Sequence, residues 1–214
     1  MKARQVAGNV DRVRTLSMRG ICRMSYLYVV RCNFTRADLE QSWNDWYGGQ
    51  KIRQLLAKPM FRAVQRFRLS SGSGRNYVAL WQVASPDAFN TSEYTSDWGF
   101  FEWRPYIADW SRDIFGATSA QDADLAVSMH GALQLISFDG MDGARADAAR
   151  ALLADLADTM WFHSAGLDRH TPMIGLRRFP DPAKAQSSPP RSVPSGVQVG
   201  VYRPISEFHT AGIG

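Results

Sequence analysis

Cysteine is nearly absent from this chain. Cys22 and Cys32 are the only two in 214 residues. They fall in different regions, so no disulfide framework and no cysteine metal cluster follows, and a reducing, cytoplasmic location is expected. Long apolar runs are missing as well. No stretch approaches the ~20 residues that span a bilayer, and residues 1–23 lack the apolar core of a secretory signal, so no membrane association is expected. Complete active-site motifs are also lacking: there is no Gly-x-Ser-x-Gly elbow, no His-Glu-x-x-His and no Cys–His pairing. The Ser-Gly-Ser-Gly run at 71–74 lies between two strand patterns, where its glycines serve a turn and do not cradle phosphate. Consecutive histidines, His130, His163, His170 and His209, stand 33, 7 and 39 residues apart, which matches no short metal motif. No metal and no cofactor is expected, although a lone haem-ligating histidine would leave no spacing signature.

Charge is present but confined. Lys2, Arg4, Arg12, Arg14, Arg19 and Arg23 face one acid, Asp11, in residues 1–23. Without that segment the chain carries 19 basic and 19 acidic residues, so the net charge of +5 is not a property of the body. A stripe for tracking phosphates is therefore excluded, and no nucleic-acid partner is expected. Residues 1–23 read as a disordered leader or a mis-called start, because strand-like sequence begins directly after Met24.

What is abundant is aromatic surface: 12% of the chain, with seven tryptophans. Rings beyond what a core requires line ligand pockets or interfaces. The stretch Trp43–Phe67 holds the densest pattern. Thr35 with Asp38 reads as a helix start, and Leu39, Trp43, Trp46 and Tyr47 follow at helical spacing. Gly48 and Gly49 are expected to end or kink that helix. Ile52, Leu55 and Leu56 add a turn, Pro59 stops it, and Phe61–Phe67 alternates as a strand.

The rest of the chain reads in order around it. Tyr26–Phe34 is a buried strand and Tyr77–Ala84 pairs with the Phe61 strand as a hairpin. Ser85-Pro86-Asp87 opens a short helix, and a fourth strand falls near Tyr106–Phe115. This order, βαββαβ, is the ferredoxin-like unit. A second copy follows a polar joint at 116–124: a strand at Ala132–Phe138, an Ala-rich helix over Asp142–His163, a strand at Met173–Phe179, a Pro/Ser-rich insert at 180–196, and a strand in Val197–Phe208. Arg178–Phe179 echoes Arg66–Phe67 at an offset of 112. The expected fold is α+β, two tandem ferredoxin-like repeats (24–116 and 124–214) packed as an α+β barrel, with the second repeat incomplete and lacking its last strand. Its unfinished edge is one that a second copy of the chain could complete, giving a homodimer.

Trp46, Tyr47, Ile52, Leu55, Leu56, Pro59, Phe61, Arg66 and Phe67 stand at the spacing of a helix–strand motif. In this the chain resembles the dimeric α+β barrel superfamily, and within it the EthD-like proteins. Lys51 occupies the position where that family often carries histidine, and Met60 the position of a glycine. The resemblance implies a pocket between sheet and helices for a small aromatic or cyclic organic compound. It also implies cofactor-free acid/base chemistry, as in a lyase, isomerase, cyclase or oxygenase. Fold alone selects no reaction, and a non-catalytic ligand-binding or assembly protein of the same fold, or a haem binder, remains the alternative.

Three residues are the catalytic candidates. Lys51 serves as an anchor for a carboxylate or phenolate, or as a base if burial lowers its pKa; otherwise it is an exposed helix lysine. His163 lies 112 residues after Lys51, so the second copy is expected to hold the imidazole that the first lacks, unless it caps a helix end. Tyr47 is a proton donor or ligand clamp. The substrate-binding candidates are Trp43, Trp46, Arg66, Trp81, Asp97, Trp98, Trp103 and His130. Core packing is the competing reading for each ring, and solvent exposure for Asp45 and Asp97.

Overall fold

The computed structural model describes residues 25–117, 125–156 and 158–212. The leader at 1–23, Cys22, Met24 and most of the joint at 116–124 lie outside them. The first half runs β1 (Tyr26–Phe34), α1 (Glu40–Trp46), a π-helical turn (Tyr47–Lys51), α2 (Ile52–Leu56), β2 (Phe61–Gly72), β3 (Tyr77–Val83), α3 (Ser92–Thr95) and β4 (Ile107–Ala117). The second runs β5 (Ala132–Ser137), α4 (Gly143–Ala151), β6 (Met160–Leu167), β7 (Met173–Phe179), α5 (Pro182–Gln186) and β8 (Gln198–Pro204), followed by a two-residue β9 (His209–Thr210).

Eight antiparallel strands close a ring in the order β3-β1-β4-β6-β7-β5-β8-β2, with β2 returning to β3. Within each half the order is the same: fourth strand, first, third, second. The halves meet at two seams, β4 with β6 and β2 with β8. Gly72, at φ 86°, is required at the second seam, because a Cβ there would lie 2.3 Å from the Val199 carbonyl oxygen. Strand alternation divides the side chains between two cores. Leu27, Val29, Phe67, Leu133, Leu135 and Ile174 fill the barrel, while Tyr28, Val30, Cys32 and Phe34 face the helices of the first half.

The second half differs from the sequence expectation in three respects. The expected helix over 142–163 stops at Ala151, and Met160–Leu167 is a strand. Trp161 and Phe162 are strong strand formers, and pairing on both sides, Gly116 with His163 and Met160 with Leu176, outweighs a continued helix. The insert at 180–196 contains α5, where Asp181 caps Lys184 N at 2.8 Å and Pro182 takes the first helical position. The second repeat is therefore complete in strands: β8 is its fourth, and the Arg178–Phe179 strand is its third, not the counterpart of Arg66–Phe67. The barrel closes within one chain, so the unfinished edge expected to recruit a second copy does not exist. Thr35 also departs from expectation: its hydroxyl donates to the Tyr106 carbonyl at 3.1 Å instead of capping a helix.

Charged groups from both halves meet at one end of the barrel. Asp139, just after β5, accepts from Arg31 of β1 at 2.9 Å and from Arg75 of the β2–β3 turn at 2.6 Å. Arg31 also faces Asp113 at 3.5 Å, and Arg75 Nη2 lies 2.7 Å from His170 Nε2 in the β6–β7 turn. The two guanidinium groups hold the Asp139 carboxyl below the usual carboxylate range against the opposing effect of burial.

Candidate functional site

The helical layer over the first half is set by a four-residue rhythm. Trp43, Tyr47, Lys51 and Leu55 are all buried. In a regular helix of 3.6 residues per turn, steps of four would walk this series round by about 40° each. The wider π-helical turn at 47–51 offsets that drift, so one face keeps all four side chains inward. Gly48 and Gly49, expected to break the helix, instead lie within this turn and the helix continues through them. The four-residue spacing was the readable signal.

Beneath this layer lies a small cavity lined by Tyr28, Val30, Tyr47, Lys51, Leu55, Tyr94, Trp98, Gly99, Phe100 and Trp110. The room open to the centre of a water molecule is only about 20 Å³, which holds about one water. Its roof is aromatic. Trp98 is stacked between Tyr94 and Trp110, with centroids at 6.0 and 6.2 Å, and the Arg112 guanidinium lies 4.2 Å from the Trp98 ring. Phe101 adopts φ 47°, a conformation costing about 1–3 kcal/mol for a bulky residue. This places its ring 4.9 Å from Lys51 Nζ as a cation–π contact.

Lys51 is 4% exposed, and among the described residues no carboxylate lies within ion-pairing distance of its ammonium. Burial lowers its pKa to about 8, opposed by the more distant Asp97. Its ammonium donates a long hydrogen bond of 3.5 Å to Gln54 Oε1. Gln54 donates in turn to Asp97, whose carboxylate also lies 3.7 Å from Lys58. Tyr47, 4% exposed, is pushed far above the usual tyrosine range by burial, with Arg66 opposing, so its hydroxyl stays protonated. Trp81 approaches that hydroxyl without reaching hydrogen-bond geometry. Among the described residues the buried indole N–H groups of Trp43, Trp81, Trp103 and Trp110 all lack an acceptor.

The structure brings together Tyr47, Lys51 and Trp98 as lining residues; Trp46 and Trp103 lie outside the lining, where Trp46 packs against Tyr47, Phe101 and Trp103 with centroids at 5.9, 6.3 and 6.1 Å. Trp43 and Trp81 are fully buried core. Asp97 lies outside the lining and reaches the site through Gln54; Asp45 is exposed and accepts from Gln41 at 2.8 Å. Arg66 occupies a neighbouring compartment with Trp43, Tyr47 and Tyr77. His130 is exposed in the turn before β5 and lines neither compartment. His163 is also removed from them: it is exposed on β6, beside a surface groove of the second half with Asp147 and Arg169. The offset of 112 was measured between non-equivalent elements, a helix and a strand. Sequence reasoning missed Tyr28, Tyr94, Trp110 and Gln54. Trp110 alternates with Arg112 along β4, and that period was legible; nothing local marks Gln54.

No family model and no curated protein matches the chain. Among solved structures, an anthrone oxidase-like protein superposes with a TM-score of 0.60 at 10% identity, covering 88% of this chain and 94% of its own. The fold is the α+β barrel of the dimeric α+β barrel proteins. Two bacterial proteins provisionally described as monooxygenases superpose on the same barrel. One, from Fusobacterium nucleatum, has a TM-score of 0.53 at 9% identity and covers 88% and 95% of the two chains. The other, from Lactobacillus acidophilus, has a TM-score of 0.52 at 8% identity and covers 88% and 97%. At these identities the likeness is one of fold. No helix among the described residues is long and apolar enough to cross a membrane.

Proposed function

We propose that the first half of this barrel binds a small, flat, cyclic organic compound and removes a proton from it, with Lys51 as the base. The observation that carries the reading is Lys51 itself, a lysine with no carboxylate partner, enclosed by rings, with its pKa lowered to about 8. A lysine so placed is a proton acceptor near neutral pH. The neutral amine takes a proton from an acidic ring C–H or O–H, and the ammonium formed lies against the enolate or phenolate it has made. Tyr47, protonated throughout, donates to a ligand oxygen. Loss of that proton is the first step common to cofactor-free isomerases, cyclases, lyases and oxygenases of such compounds. The Trp46-Tyr47 helix and Arg66-Phe67 strand support grouping the chain with the EthD-like proteins, and the fold shared with an anthrone oxidase-like protein supports a cyclic ketone as first probe.

Anthrone, whose ring methylene is acidic, tests the reading directly. Its conversion by the purified chain without added cofactor is expected to rise with pH and level off above about 8. Lys51→Met is expected to lower the rate about 100-fold or more, the ordinary contribution of a general base. Equal turnover in wild type and Lys51→Met would remove Lys51 as the base, and binding of anthrone as a thermal shift with no turnover above the buffer rate would move the protein to the non-catalytic class.

A further inference from the structure

Arg66 is buried without a counter-ion. It projects from β2 toward the helices, is 2% exposed, and donates to the Asn44 carbonyl at 3.2 Å and to Asn44 Oδ1 at 2.9 Å. Its guanidinium lies 4.1 Å from the Tyr47 ring centroid and 5.1 Å from that of Trp43. Among the described residues no carboxylate reaches ion-pairing distance. The neighbouring Arg68 shows what is missing: it has Glu40 at 3.1 Å, and Glu40 also accepts from the Tyr77 hydroxyl at 2.5 Å. The acidic protons closest to Arg66 in effect belong to Tyr47, Cys32 and Tyr77, and burial raises all three pKa values, those of Cys32 and Tyr77 to about 12. None offers a negative charge at neutral pH. Desolvating a cation without a partner is costly, and here it pulls the Arg66 pKa down to about 10.

This compartment, whose cavity volume of about 10 Å³ has room for about one water, adjoins the Lys51 cavity, because Val30 and Tyr47 line both. Neither lining contains an acid. Two buried cations thus face a shared aromatic partition with no protein anion between them.

We infer that the ligand carries an acidic substituent, a carboxylate or its equivalent, and that Arg66 binds it on the far side of Tyr47 from Lys51. A planar guanidinium with N–H groups left over from Asn44 suits a carboxylate by geometry as well as charge. The inference deepens the reading of the Lys51 cavity and rests on it: the ring lies against Lys51 and the fixed negative charge reaches Arg66. It defines the substrate class as ring compounds bearing an acid, as distinct from neutral polycycles.

The test compares 2-naphthoic acid, its uncharged carboxamide and 2-naphthol by thermal shift on the full chain, with wild type, Arg66→Met and Arg66→Lys. Wild type is expected to be stabilised more by the acid than by the amide, by several degrees at equal concentration. Arg66→Met is expected to erase that difference while keeping the naphthol response, which depends on Lys51; Arg66→Lys is expected to restore part of it. Free of an unpaired buried cation, Arg66→Met without ligand is expected to melt no lower than wild type. An acid–amide difference unchanged in Arg66→Met overturns the inference and leaves Lys51 untouched. So does a wild type that answers to naphthol but treats acid and amide alike. A response to the acid with none to naphthol sinks the Lys51 reading and keeps Arg66. Silence toward all three probes overturns the inference, while the anthrone assay still decides the base.

Discussion

The two halves share one strand order and differ in what lies on the outer face of the sheet. Over the first half, α1, the π-helical turn and α2 hold an aromatic layer in which Phe34 stacks on Trp43 at 4.7 Å and Lys51 and Arg66 are buried with no carboxylate in ion-pairing distance among the described residues. Over the second, a nine-residue Ala-rich helix and the turns after it pack in a smaller cluster with Ile136, Phe138, Leu153 and Leu156, and His163 and Leu152 are left exposed. A sheet of the same topology therefore serves as chamber wall in one half and as plain support in the other. What distinguishes the halves is the layer added to the sheet, not the strand order.

The largest effect expected to sharpen this contrast comes from the rings. Trp81→Ala, at a fully buried position in the first half, is expected to cost about 3–5 kcal/mol in denaturant unfolding, whereas Trp161→Ala, half-buried on the outer face of the second, is expected to cost less than half of that. Equal losses would break the distinction between chamber and support.

Next comes the tie between the halves. Asp139→Asn removes the one carboxylate that both Arg31 and Arg75 grip, with an expected loss of roughly 3 kcal/mol at neutral pH. Because the folded pKa of Asp139 lies below its unfolded value, its stabilisation is present above that unfolded value and lost as pH falls through the folded one. Acid titration of stability is thus expected to be shallower in Asp139→Asn than in wild type below about pH 4.

Lys51 gives a smaller effect of the same sign in a higher pH window. With its folded pKa at about 8, against an ordinary value of 10.5, the unfolded chain binds the extra proton between those values. Wild type is therefore expected to gain about 2 kcal/mol over Lys51→Met as pH rises from 8 to 10.5. A flat difference across that window would mean that the amine is not desolvated. The smallest expected effect is none. His163→Ala should leave melting temperature and anthrone turnover unchanged within error; a loss of turnover would show that the second half reaches the site after all.

Much of this contrast was legible in the sequence, unevenly. The first half announced itself because period-two strands and a helical aromatic stripe agreed with each other and with the turns between them. The second half was harder, since an Ala-rich helix ran into Met160-Trp161-Phe162 with apolar residues on both sides of the boundary, and only pairing with β4 on one side and β7 on the other decides for a strand. The Asp181-Pro182 start of α5 was readable but lay inside a segment dominated by proline and serine. A dipeptide echo such as Arg-Phe is too short to align repeats, and it misplaced His163. The inward face of Lys51 was readable from its four-residue spacing, but its lack of a partner and the burial of Arg66 were not written locally, because they depend on where Phe101, Trp98 and Asn44 come to rest.

The β2–β8 seam has a consequence for how the chain is made. Ser70 and Val201, bonded across it at 2.9 Å, are 131 positions apart in sequence. At ordinary rates of translation, β8 leaves the ribosome roughly ten seconds after β2. Through that interval β2 has one edge with no strand to take its hydrogen bonds, and β4 waits in the same way for β6. The finished barrel has no free rim, but its nascent form carries two, and these are where a chaperone would be needed or a neighbouring nascent chain would attach.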